Sequence, residues 1–218
     1  MTNALINVNG DNVQTLQVLF LTTAIALLPS IVIMMTCFTR IVISLSFLRT
    51  AMGTQATPPN NVLVGIALFL TLFIMSPVVT QIQKTAYEPY IAEQITQEEA
   101  LNRAKIPLKK FMLANTQRSS LDMYLELSKT TITEDPTQLP LRVIVPAFMT
   151  SELKEAFRIG FFLFIPFMLI DIIVSSTLMS MGMIMLPPAT IAMPFKLLLF
   201  ISIDGWQLIF STLARSFN

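Results

Sequence analysis

The sequence predicts a mainly α, membrane-type helical protein with two kinked helical hairpins and a small helical extracytoplasmic insert between them. Hydrophobic residues fill 54% of the 218 positions and charged residues only 12%, against about 25% charged in soluble domains. Of the 27 charged side chains, 20 lie between Lys84 and Arg158, ten of each sign, and the rest of the chain shares seven. Uncharged runs of about 20 residues, a hydrocarbon length, carry prolines that kink helices. The expected divisions are an N-terminal tail with the first hairpin (1–82), the polar insert (83–158) and a second hairpin with a Met-rich tip (159–218).

Composition also removes whole classes of chemistry. The chain has no histidine and one cysteine, Cys37. Ser-His-Asp triads, thiolate–imidazole pairs, HExxH zinc sites and intrachain disulfides are therefore excluded. No Gly-rich phosphate loop occurs, and a net charge of +1 offers no basic patch for nucleic acid. No enzyme, cofactor or metal site is expected.

The first span is read from Leu16 to Phe38, kinked at Pro29. A signal peptide is the competing reading, but the only charge before this run is Asp11 and the run exceeds an apolar signal core. Residues 39–61 read as a connection carrying Arg40 and Arg49. Either both arginines anchor at the membrane interface or they touch neighbouring subunits. Gly53 and Pro58-Pro59 break the helix there. The second span, 62–82, is uncharged and contains Pro77.

In the insert, Thr96-Gln-Glu-Glu99 fits a capping box opening a helix that Pro107 bends. A second helix is expected over 120–128 and an irregular loop over 131–145. Ser151 is read as the N-cap of the next helix, with Glu152 and Glu155 in its first turn. That helix runs into the third span, kinked at Pro166. Pro187-Pro188 forms the turn, and the fourth span covers Ile191 to about Ala214. Four spans leave both termini and the insert on one side; the positive-inside rule puts 40–61 in the cytoplasm and 83–158 outside.

Asp171, Lys196 and Asp204 stand inside apolar spans, where an unpaired charge costs about 3 kcal/mol or more. A structural ion pair, a proton relay and a polar pore lining remain open readings. With the turn set at Pro187, Asp171 lies sixteen positions before it and Lys196 nine after. A pair within one hairpin is then misaligned, and a pair between subunits is easier to form. Met179, Met181, Met183 and Met185 cluster around Gly182 ahead of the two prolines. Methionines there are either filler or a deformable apolar seal.

Two blocks carry a family resemblance: MTCFTRIVISLSFLRTAMGTQATPPN with LFIMSP, and SELKEAFRIGFFLFIPFMLIDIIVSSTLMSMGMIMLPPATIAMPFKLLLF with DGWQLI. They resemble the FliP family of flagellar type III export-gate proteins, which has a homologous subunit in the virulence injectisome; the LPPATIAMPFK wording is closer to the flagellar branch. The resemblance implies a non-enzymatic pore subunit in the bacterial inner membrane, at the flagellar basal body. It also implies five copies assembled with FliQ and FliR, largely above the bilayer plane, conducting unfolded proteins. The family's methionine gasket maps onto Met183, Ile184 and Met185, with Ile184 departing as a stiffer β-branched residue. Its charged positions map onto Glu152, Asp171 and Lys196, implying assembly or gating roles. A small proton-coupled secondary transporter using Asp171 or Asp204 is the alternative class.

Overall fold

The computed structural model describes residues 5–8, 11–54, 56–130, 135–183 and 185–217. A short antiparallel hairpin, β1 (Leu5–Val8) and β2 (Asp11–Gln14), precedes helix α1 (Thr15–Met34). The expected first span is broken before Phe38. Thr36 causes the break: its hydroxyl donates to the Ile33 carbonyl at 2.9 Å and accepts from the Phe38 amide at 3.4 Å. It thus ends one helix and opens the next.

The stretch expected to be a connection is instead the central helix, α2 (Phe38–Met52). It buries Cys37, Ile41, Leu45, Leu48, Ala51 and Met52, a stripe at helical spacing. Its hydroxyls and two arginines lower its hydropathy, which hides that role in the sequence. Gly53, at φ 76°, stops it in the left-handed conformation. Helix α3 (Asn60–Ile82) returns beside α2, burying Leu63, Ala67, Thr71 and Met75 at every fourth position. Its helical course continues through a π turn (Gln83–Tyr87) into α4 (Glu88–Ile91). The arms of the first hairpin are therefore α2 and α3, not α1 and α3.

Helix α5 (Gln97–Ala114) opens on the anticipated cap, the Thr96 hydroxyl accepting from the Glu99 amide at 3.3 Å. Helix α6 (Arg118–Leu127) follows. The loop expected over 131–145 ends early. Asp135 caps a 3₁₀ turn at Pro136–Gln138, and α7 starts at Leu141 and runs 40 residues to Ser180. Pro146 and Pro166 are both absorbed inside it. Ser151 is consequently no N-cap and Glu152 lies in no first turn: the helix begins ten positions before Ser151. The Ser151 hydroxyl donates to Ala147 O at 2.9 Å and accepts from the Gln117 amide at 3.0 Å. It thereby caps the start of α6 from a neighbouring helix.

The expected fourth span is also broken. Helices α8 (Pro188–Ser202) and α9 (Gly205–Arg215) meet at a 64° bend. Asp204 adopts φ 51° there, and Gly205 lacks the Cβ that would lie 2.2 Å from the Phe200 ring. Among the described residues, Asn60–Ile91 and Leu141–Ser180 are long and apolar enough to cross a membrane; the bent pair makes a third such element. Four straight spans are not found among the described residues.

Two apolar clusters form the core. One joins α2, α3, α7, α8 and α9; the other joins α5, α6 and the first turns of α7. Leu108 and Phe111 pack against both, so the insert is continuous with the body. The surface area is 14626 Å², whereas a compact monomer of 24.4 kDa would expose about 10,000 Å². Much of the surplus is apolar, including Phe20, Phe69, Phe161 and Ile201. Such faces need lipid or protein to cover them.

Helix α7 meets the Phe47 ring of α2 at Gly160, where a Cβ would lie 2.5 Å from it. The Phe47 ring is wedged between Phe157 and Phe164 at 5.1 and 6.2 Å. Helix propensity alone favours alanine over glycine by about 1 kcal/mol. Overpacking a confined ring costs roughly 1–3 kcal/mol and outweighs it. Gly160→Ala is expected to lower the thermal unfolding midpoint in detergent by several degrees.

Candidate functional site

The helical body contains charges that the fold brings together in pairs. Arg40, on the second residue pair of α2, faces Glu152, in the interior of α7. Arg40 Nε donates to Glu152 Oε2 at 2.9 Å, and Arg40 Nη2 bonds the other carboxylate oxygen. Both residues are buried. Arg40 Nη1 donates to the carbonyl and hydroxyl oxygens of Ser216, each at 3.1 Å, and the guanidinium lies 3.8 Å over the Phe217 ring. Phe217 in turn stacks on Phe111 of α5. One arginine therefore ties α2, α7, the insert and the C-terminal segment into a single knot. Arg40 is no interfacial anchor, and it cannot support the topology argument built on it.

Asp171 and Lys196 also meet within the chain, contrary to the expectation that an intersubunit pair forms more easily. Lys196 Nζ donates to Asp171 Oδ2 at 2.7 Å and to the Ala51 carbonyl at 3.1 Å. The misalignment inferred from sequence came from setting the turn at Pro187. The turn spans Met181 to Pro187, so Asp171 stands nine residues before the end of α7 and Lys196 eight after the start of α8. The ammonium also caps the C-terminus of α2, where carbonyls lack helical partners and the dipole favours a cation.

The tip is built by a Schellman motif. Gly182, at φ 75°, donates to Met179 O at 3.0 Å, and Met183 donates to Leu178 O at 3.0 Å. This 5→2 and 6→1 pattern ends helices on a left-handed glycine. Gly182 was the sequence signal that locates the turn, and Pro188 opens α8 as its first residue. Met179, Met181 and Met183 are exposed, and Met185 is 99% exposed. Ile184 lies outside the described residues. No contact among the described residues covers Met185, whose thioether is free to meet a neighbour.

Arg49 and Asp204 stand apart from these pairs. Arg49 Nη1 donates to Asn60 Oδ1 at 2.6 Å and Pro58 O at 3.3 Å, joining the end of α2 to the start of α3. Asp204, expected inside a span, is exposed at the α8–α9 bend. No group of three or more metal-ligating side chains is found among the described residues. The Arg40–Ser216 contacts had no signal in local sequence, because the partners are 176 positions apart.

A family model described as the FliP family matches residues 21–213. The chain is 50% identical over 211 residues to the flagellar biosynthetic protein FliP of Pectobacterium carotovorum, covering 96% of this chain and 82% of that protein. It is 50% identical over 203 residues to the FliP of Bacillus subtilis, covering 93% and 92%. It is 46% identical over 211 residues to the FliP of Aquifex aeolicus, covering 96% and 88%.

Removing one partner of a buried pair leaves an uncompensated charge at a cost of about 3–5 kcal/mol, whereas an apolar double replacement can be nearly neutral. Arg40→Met or Glu152→Met alone should cut stability by about that amount. The double variant should recover most of the loss, as read by thermal unfolding in detergent.

Proposed function

The chain belongs to the FliP family, and from that premise we propose that it is a pore-forming subunit of the flagellar type III protein export gate. It is a membrane-type helical component, not an enzyme. In this reading several copies, five by the family resemblance, assemble with FliQ and FliR in the bacterial inner membrane and conduct unfolded flagellar proteins. The apolar faces left open on α1, α3, α7 and α8 suit burial against sister subunits and lipid together. The charge-rich insert, 83–158, sits outside the hydrocarbon. Its extracytoplasmic placement rests on Arg49, in the last turn of α2 and at the end of α3 away from the insert, under the positive-inside rule.

One observation carries the gate reading most directly. The second hairpin is clamped by Asp171–Lys196 about 13 Å below its end, nine residues at the helical rise. Beyond the clamp it presents an unclamped apolar tip with Met183 and Met185 exposed. A ring of such tips would close a pore with unbranched, polarizable side chains. Methionines there block hydrated ions by leaving them no polar partner, and they repack around a chain of any sequence. Ile184 adds apolar bulk with fewer rotamers. Asp171 is engaged by a lysine, which favours a positioning role over the free proton site a secondary transporter requires.

Replacing Met183 and Met185 together with alanine should open a leak to ions or small molecules in the assembled gate, with the fold retained. The measurement is single-channel conductance of the reconstituted complex beside export of flagellar substrates. Unchanged conductance with unchanged export would remove the gasket assignment.

A further inference from the structure

Sulfur is unevenly spread over this surface. Met52, Met75 and Met112 are buried in the two apolar clusters. Among the described residues seven methionines are exposed, and four of those fall within positions 179–185. Helix packing does not need them there, since leucine fills the same volume at little cost. The turn explains their exposure. Its Schellman bonds end α7 and Pro188 opens α8, so Met185 falls between two helices, neither of which covers its side chain. Its thioether is open to small solutes on every side, at 99% exposure. The one thiol of the chain, Cys37, is fully buried and does not compete for an oxidant.

We propose that the tip is a reversible oxidation site: hydrogen peroxide or hypochlorous acid converts Met185, and then Met183, to the sulfoxide, and the sulfoxides unseal the pore. The inference rests on the gate reading above and adds a chemical regulation of the same seal. A lone pair of the thioether sulfur attacks one oxygen of the peroxide. The S–O bond forms as the O–O bond breaks, and the proton on the transferred oxygen passes to the departing hydroxide, which leaves as water. Sulfur gives up two electrons and the peroxide takes them. With hypochlorous acid the leaving group is chloride, and the proton goes to solvent. A dithiol reductant reverses the step, becoming a disulfide while the oxygen leaves as water. The functional consequence follows from polarity. The thioether seal excludes hydrated ions because it offers them no polar partner. A sulfoxide oxygen is a strong hydrogen-bond acceptor, and burying it without a donor is costly. Water therefore enters the closed tip with it, and ions follow the water. Met52, Met75 and Met112 are shielded by the packing that buries them, so the body of the fold survives an exposure that alters the tip.

The test treats the assembled gate, reconstituted in a planar bilayer, with hydrogen peroxide and follows peptide masses and conductance together. Met185 should gain oxygen roughly tenfold faster than Met52, Met75 and Met112, and conductance should rise several-fold in step with it. Methionine sulfoxide reductases for both sulfoxide epimers, supplied with dithiothreitol, should return conductance to its starting level. A complex carrying Met183→Leu and Met185→Leu keeps apolar bulk without sulfur, and peroxide should leave its conductance where it started, whatever that level is. Met185 oxidising no faster than the three buried methionines, conductance holding steady while Met185 is oxidised, no recovery with the reductases, or an equal response from the leucine complex would each overturn the proposal. The alanine variant of Met183 and Met185 judges the gate reading separately. A leak there without a response to peroxide removes the oxidation site alone; no leak from either removes both.

Discussion

An apolar helical body cannot hold an unpaired charge cheaply, and that constraint organises this fold. The Arg40–Glu152 pair is its deepest expression. Arg40 sits on the central helix and Glu152 in the first third of the longest one, both buried. Desolvating the two ions costs several kcal/mol each and is offset only by good geometry and extra hydrogen bonds. The extra bonds come from Ser216, and the Phe217 ring covers the guanidinium. The pair thus demands that α2, α7, α5 and the C-terminal segment arrive together. It specifies an arrangement more than it adds stability.

The same constraint governs the second hairpin at the other end of the body. Lys196 engages one carboxylate oxygen of Asp171 and the open carbonyl end of α2 at once. The hairpin is therefore held to the central helix by charge at one level; Ala192 is still buried above it, and the turn beyond carries exposed methionines. Gly182 and Pro188 define a short turn there, and the turn displays methionines. Rigid support below and soft apolar side chains above are what a deformable seal needs. The 64° bend at Asp204 turns α9 back across the body, which brings the C-terminal segment to Arg40.

The fold class was legible because it depends on composition and on the lengths of uncharged runs, both local properties. Helix α5 and its Thr96 cap were legible for the same reason. Helix α2 was not, since its buried face includes an arginine whose partner is 112 positions away. Hydropathy scores that arginine as exposed. The start of α7 was missed because Pro146 and Ser151 look like a helix boundary, and only the packing of α6 against them shows otherwise. The hairpin pair was misjudged by weighting Pro187-Pro188 over Gly182, a shift of three residues in the turn's centre that separated two residues which in fact touch. At the candidate gasket, the resemblance supplied the position of Met183 and Met185, and the geometry supplied their exposure.

Lys196 fixes the level below which the second hairpin is rigid. Hydrogen–deuterium exchange on the assembled complex tests it most directly, comparing the unaltered chain with Lys196→Met. Amides in the turns of α7 just before Asp171 and of α8 just after Lys196 should exchange markedly faster in the variant, while those around Arg40 and Glu152 keep their protection. Identical exchange along the hairpin in the two proteins would contradict it.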